Sequence, residues 1–201
     1  VLGLLSALYC VGILNKDEIM TFQTNGSKYI AHPIMNTKAQ IESSNGSLGQ
    51  GLSMGIGIAL SYVKKNKLGN IFVLVGDGEC YEGSIWEAAT MASAQSIENL
   101  TVVVDSNKWQ ATDRSSDLVG PTSLKDKWTS FGWHTIEIDG HDMREIKSSL
   151  TLRKKNKPVA VIANTIKGSG VSFMEDDNNW HYRIPNEEEV LKAFEELGVK
   201  S

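Results

Sequence analysis

Several common signatures are missing from this chain of 201 residues, and each absence narrows what it can be. Its two cysteines, Cys10 and Cys80, belong to no disulfide or metal-ligating spacing. Lys and Arg number 20 against 24 Asp and Glu, a formal net charge of −4. That balance offers no broad basic field, so nucleic acid is not an expected partner. The apolar opening, Val1 to Tyr9, reaches Asn15-Lys16-Asp17-Glu18 within about fourteen residues and is too short to span a bilayer. It has neither a basic leader nor an initiating methionine. It reads as the middle of a longer protein whose native N-terminal segment is missing. No internal repeat or low-complexity tract occurs. No Gly-x-Gly-x-x-Gly follows the first apolar strand, which argues against a dinucleotide binder.

What remains is ordinary globular composition, 41% apolar and 22% charged, with a length suited to a single domain over residues 1–201. The opening reads as a buried helix stopping near Gly12, followed by a short helix or turn at 17–23 and irregular chain over 24–47. A helix rich in small residues is expected from Leu48 to Lys65. Its glycines are poor for helicity and suit the close approach of another backbone or a ligand. Strands are expected at 71–75, 100–105, 132–138 and 158–163. Helices are expected at 83–95, 124–131, 143–155 and 186–197, and a polar loop from Gln110 to Pro121. Strands alternating with helices predict an α/β fold: three layers, a mostly parallel sheet with helices on both faces. The continuous apolar run at 158–163 suits a strand covered on both sides.

The densest chemistry lies at the end of the first strand. Gly76-Asp77-Gly78-Glu79 closes the run Ile71 to Val75, and Asn107 falls thirty residues after Asp77, just past the second strand. Alone, Gly-Asp-Gly is a tight turn with a solvated aspartate. Here it leads into the helical stretch Glu82 to Ala92, and the order strand, turn, helix, strand, Asn puts a carboxylate and a carboxamide at two neighbouring strand ends. A hard cation such as Mg²⁺ takes such oxygens and usually keeps phosphates among its ligands. A metal-clamped diphosphate at the carboxyl ends of the strands is the resulting expectation. Cys80 beside the turn reads as a buried thiol, with a redox-sensitive one as the alternative.

These motifs, together with Gly46-Ser47-Leu48-Gly49-Gln50-Gly51, Asp105-Ser106-Asn107, Lys167-Gly168-Ser169-Gly170 and Trp180-His181, make the chain resemble the N-terminal diphosphate-binding domain of transketolases. It resembles most closely the separate N-terminal subunit of split transketolases. The resemblance runs from Val1 to about Leu197. It implies the thiamine-diphosphate-binding fold (PP-type domain), thiamine diphosphate, Mg²⁺ or Ca²⁺, and transfer of a two-carbon ketol unit between sugar phosphates in the cytoplasm.

Carried over by position, the resemblance implies that Asp77 and Asn107 hold the metal through side-chain oxygens and Trp109 through its backbone carbonyl. Gly46, Ser47, Leu48, Gly76, Asp77, Gly78, Glu79, Asn107 and Lys167 would contact the cofactor. Gly46-Ser47-Leu48 reads equally as a helix entry turn with Ser47 as cap. His32 and His181 would line the substrate channel as catalytic residues, since imidazoles exchange protons near working pH. His134 and His141 have weaker claims, and Asp139-Gly140-His141 reads as a structural turn. Gln110 would lie near the substrate or pyrimidine channel, on an alignment loose by one residue. Glu82 and Glu87 would face a partner chain, with a solvated helix face as the alternative.

In this family a glutamate of the pyrimidine-binding domain activates the cofactor, and that domain is absent from the chain. The resemblance therefore implies a heterotetramer with a C-terminal pyrimidine-binding subunit, with activity only in that assembly. Two rivals share the motifs. One is a related thiamine diphosphate enzyme, such as a 1-deoxyxylulose-5-phosphate synthase or a specialised-sugar enzyme. The other is a non-catalytic partner domain that has kept the fold.

Overall fold

The computed structural model describes residues 1–199. The chain divides into two compact units, Val1–Gln50 and Gly51–Ser201.

In the first unit, α1 (Leu2–Cys10) and α2 (Lys16–Met20) precede irregular chain. Asn15 starts α2 with a capping box. Its Oδ1 accepts from the Glu18 N–H, and Glu18 Oε2 accepts from the Asn15 N–H, both at 2.9 Å. Leu5, Leu14, Tyr29, Ala39 and Ile41 form a small core. The expectation that the opening helix is buried needs correcting. Only Leu5 of α1 is buried, while Leu2 and Tyr9 are 56% and 48% exposed. The helix is apolar all round, and this small core takes one side of it.

The second unit holds the main core. Helix α3 (Gln50–Lys64) leads to β1 (Ile71–Gly76), a 3₁₀ turn (Glu79–Tyr81), α4 (Gly83–Ala94) and β2 (Leu100–Ser106). Then come α5 (Ser115–Val119), α6 (Leu124–Ser130), β3 (His134–Asp139), α7 (Met143–Thr151), β4 (Val159–Asn164) and α8 (Glu187–Glu196). The four strands lie in the order β1-β2-β4-β3 and every pairing is parallel. Val73 pairs with Val102, and Val102 with Ala160. These residues share one face with Val75, Leu100, Val104 and Ile162. They are buried there with Leu52, Ile56 and Ala59 of α3, Ile85 and Ala89 of α4 and Trp128 of α6. All residues from Val159 to Ala163 are buried, so β4 is covered on both faces. The step from β3 back to β4 runs opposite to the earlier crossovers. A right-handed connection then carries α7 to the other face, giving three layers.

Three local expectations shift. The loop from Gln110 to Pro121 contains α5, in which Ser115 is buried. Helix α7 ends at Thr151 rather than Lys155, because Leu152 turns extended and Lys154 pairs with Lys157 across a tight turn. Strand β3 begins at His134 rather than Gly132. Gly132 has a φ of +89° and the Trp133 N–H returns to the Trp128 carbonyl, which closes α6 instead. Asn186 caps α8 in a box with Glu189, as its sequence suggests. Among the described residues no helix is long and apolar enough to cross a membrane.

Candidate functional site

Parallel pairing brings the sequence-selected residues of the second unit to one end of the sheet. Gly76 is in register with Asp105, and the Asp77 N–H donates to the Asp105 carbonyl at 3.1 Å. Asp77 and Asn107 thus leave adjacent strands at their carboxyl ends, and the loop after β4 carries Lys167 to the same end. Asp77 is 3% exposed. Its Oδ1 accepts from the Gly78 N–H and its Oδ2 from the Ser115 hydroxyl, both at 2.9 Å, and the Lys108 N–H adds a third donor. Burial nonetheless pushes the Asp77 carboxyl above its usual range, and the neighbouring Asp105 carboxylate adds to the rise.

Asn107 Oδ1 accepts from the Trp109 N–H at 2.9 Å, and its Nδ2 donates to Asp105 Oδ2 at 3.4 Å. Asp105 also accepts a hydrogen bond from the Thr165 hydroxyl. Lys167 Nζ lies 3.1 Å from His181 Nδ1. Burial lowers the Lys167 ammonium's pKa, while Asp105 and Asp77 pull it the other way. His181 is lowered by burial first and then by Lys167. Glu79 turns back so that its Oε2 accepts from the Gly76 N–H at 3.3 Å. A cleft of about 540 Å³ opens beside Asp77, with Ser106, Lys108, Arg114 and Asn164 on its walls.

The donor set suits a hard cation and an oxyanion. Asp77 and Asn107 offer carboxylate and amide oxygens, the ligands that Mg²⁺ and Ca²⁺ take. Two carboxylates beside one ammonium leave a deficit of positive charge that a bound cation would make good. Gln110 lies over the turn, its Cγ 3.1 Å from where a side chain on Gly78 would begin. Its buried Nε2 has no hydrogen-bond partner. An orphaned buried donor beside a glycine turn fits an anion such as diphosphate. Among the described residues no cluster of three or more His, Cys, Asp or Glu is placed to hold a metal.

In the first unit, Gly46 has a φ of +138°, and a side chain there would start 2.9 Å from the His32 ring. His32 and Gly46 are therefore in contact, while Ser47 and Leu48 are exposed. Helix α3 begins at Gln50, three residues after Ser47. Glu82, at the N-cap of α4, and Glu87, within it, are both exposed. His141 is the structural residue its turn suggests, since its Nε2 accepts from the Ile166 N–H at 2.9 Å. His134 stands in β3, lowered by burial and by Lys154 and Lys157.

Sequence reasoning gave no role to Asp105, Ser115, Thr165, Arg114 or Asp176. Asp176 accepts from Trp109 Nε1 at 2.9 Å and from Arg114 Nη1 at 2.8 Å, with Arg114 Nη2 on its other oxygen. An aspartate ending an otherwise apolar strand was the one available signal, for Asp105.

The family model described as "Transketolase, thiamine diphosphate binding domain" matches residues 2–201. An apulose-4-phosphate transketolase subunit from Actinobacillus succinogenes is 38% identical over 94% of this chain and 70% of its own length. The 6-deoxy-6-sulfo-D-fructose transketolase subunit of a Clostridium species is 36% identical over 97% of this chain and 72% of its own. The crystal structure of transketolase from Campylobacter jejuni superposes with a TM-score of 0.85 at 28% identity. It is matched over 92% of this chain and 30% of that one, so this chain spans under a third of the whole enzyme. A family-model match over nearly every residue, on a parallel sheet shared with a solved transketolase, places the chain in the transketolase family as its thiamine diphosphate-binding domain.

Proposed function

We propose that this chain is the cofactor-anchoring part of a thiamine diphosphate-dependent transketolase that moves a two-carbon ketol unit between sugar phosphates. The observation that carries this reading is the Asp77 carboxylate, 3% exposed at the end of β1, with the Asp105 carboxylate beside it and the Lys167 ammonium close enough to feel both charges. Asp77 and Asn107 would hold Mg²⁺ or Ca²⁺ through side-chain oxygens and Trp109 through its backbone carbonyl. Gly76, Gly78 and Glu79 shape the turn that would receive the diphosphate, and Lys167 would supply positive charge to it. Gly46, Ser47 and Leu48 would contact the cofactor as well. When bound, thiamine diphosphate supplies the electron sink that a two-carbon carbanion needs.

The chain's own residues would manage protons and orientation. Lys167 donates to His181 Nδ1, which leaves the proton of a neutral imidazole on Nε2, free to meet a substrate hydroxyl or carbonyl oxygen. His32 would serve the same purpose. Two relatives named as subunits support a partner chain, here a pyrimidine-binding one that completes a cytoplasmic heterotetramer. Their names, apulose-4-phosphate and 6-deoxy-6-sulfo-D-fructose, favour a second reading in which the donor is a specialised sugar rather than a pentose phosphate intermediate.

Calorimetry on the chain assembled with its partner tests the assignment. Thiamine diphosphate should bind measurably only with a divalent cation, and Asp77→Ala should abolish that binding. Wild-type affinity in Asp77→Ala overturns the metal site. Product analysis with ketose phosphates against specialised sugars separates the two readings.

A further inference from the structure

The segment from Lys108 to Ser115 is a tight hairpin. Trp109 and Arg114 face each other as an antiparallel bridge, the Gln110 N–H donates to the Asp113 carbonyl at 2.9 Å, and the Ser115 N–H to the Lys108 carbonyl at 3.0 Å. The base of this hairpin is fixed by Asp77, which accepts from Lys108 N–H and from the Ser115 hydroxyl. Its Trp109–Arg114 rung is fixed from another part of the chain. The Arg114 guanidinium stacks over the Trp109 ring at 3.8 Å, and both donate to the one carboxylate of Asp176. Asp176 in turn donates its backbone N–H to the Lys167 carbonyl at 2.8 Å. Its φ of +56° is uncommon for a residue with a side chain. A second tie runs in parallel, from Asn178 Nδ2 to the Ala111 carbonyl at 3.2 Å.

Asp176 therefore joins the loop after β2, which presents the Trp109 carbonyl, to the loop after β4, which presents Lys167 and His181. We propose that Asp176 is a positioning residue whose carboxylate clasps the Lys108–Ser115 hairpin onto the Lys167–His181 loop, so that the metal-facing carbonyl and the diphosphate-facing ammonium are held in register before ligand arrives. This rests on the function proposed above. A bidentate guanidinium with an added indole donor is the geometry in which a partly exposed ion pair gains specificity. Holding two loops ready removes an ordering cost that binding would otherwise meet.

The test compares Asp176→Asn and Asp176→Gly, both tolerant of a positive φ, with Arg114→Gln, Trp109→Phe and Asp77→Ala. Two readouts are taken on the assembled protein: tryptic cleavage after Lys108 without ligand, and the Kd of thiamine diphosphate at saturating Mg²⁺. Asp176→Gly should cut at Lys108 several-fold faster than wild type and bind about tenfold more weakly. Asp176→Asn and Trp109→Phe should fall between. Arg114→Gln combined with Asp176→Gly should add little to either alone, since both break one clasp. Unchanged cleavage and affinity in Asp176→Gly, or full additivity in the double variant, overturns the proposal. If Asp77→Ala binds like wild type the function has failed, and the cleavage readout still judges the clasp. If Asp77→Ala abolishes binding while Asp176→Gly changes neither readout, the function stands and the clasp has failed.

Discussion

At the 3.1 Å separation of Lys167 Nζ and His181 Nδ1, a charged ammonium can only donate, so the imidazole nitrogen facing it must be unprotonated. Burial and then the Lys167 charge hold this imidazole below its ordinary value of 6.5. The sign follows for stability. As pH falls through 6.5, the unfolded chain takes up the proton before the folded one, so folding is weakened from there down to the folded-state pKa. NMR titration of His181 should give a midpoint below 6.5. Lys167→Met should raise it part of the way back and leave the share due to burial. An unmoved midpoint would mean that the two groups do not sense each other. Asp77 is perturbed in the opposite direction, so the turn after β1 holds a reluctant carboxylate and the loop after β4 a reluctant imidazole.

Between elements, glycine permits a close approach of α3 to β1. A side chain on Gly55 would begin 2.4 Å from a Val73 methyl carbon, whereas one on Gly57 would meet nothing within 4 Å. Overpacking costs about 1–3 kcal/mol and exceeds the helical gain of up to about 1 kcal/mol from removing a glycine. Urea unfolding should find Gly55→Ala less stable than wild type and Gly57→Ala equal or more stable. A stabilised Gly55→Ala would mean that α3 does not pack as described. The small-residue pattern of this helix was visible in the sequence, but which glycine bears the contact depends on the rotation of α3 over β1. In the same way the apolar runs announced β1, β2 and β4, because each is long and bounded by turn residues. The order β1-β2-β4-β3 was not legible, since it depends on which crossover reverses. Asp77 and Asn107 could be found because the strand ends that carry them are adjacent in both sequence and space. Ser115, Thr165 and Asp176 reach their partners across 38, 60 and 62 residues, and no local spacing encodes such contacts.

For the molecule as a whole, the candidate site residues of the second unit lie at the carboxyl end of a sheet whose first strand is an edge. Phe72 and Leu74 of β1 stand 48% and 73% exposed on the face opposite the main core. The relatives named as subunits are about 270 to 280 residues long by the shares matched, roughly the scale of one compact α/β domain. Cys80 follows the Asp77 turn, is wholly buried, and has its thiol pushed up to about 12 by that burial, whereas Cys10 is exposed. Iodoacetamide at about pH 8 should therefore alkylate Cys10 promptly and Cys80 only during transient opening. Adding Mg²⁺ and thiamine diphosphate should slow the second reaction and spare the first. Equal rates would show a turn that stands open. The ratio of the two alkylation rates thus turns a chemically silent sulfur into a native gauge of how often this end of the sheet breathes.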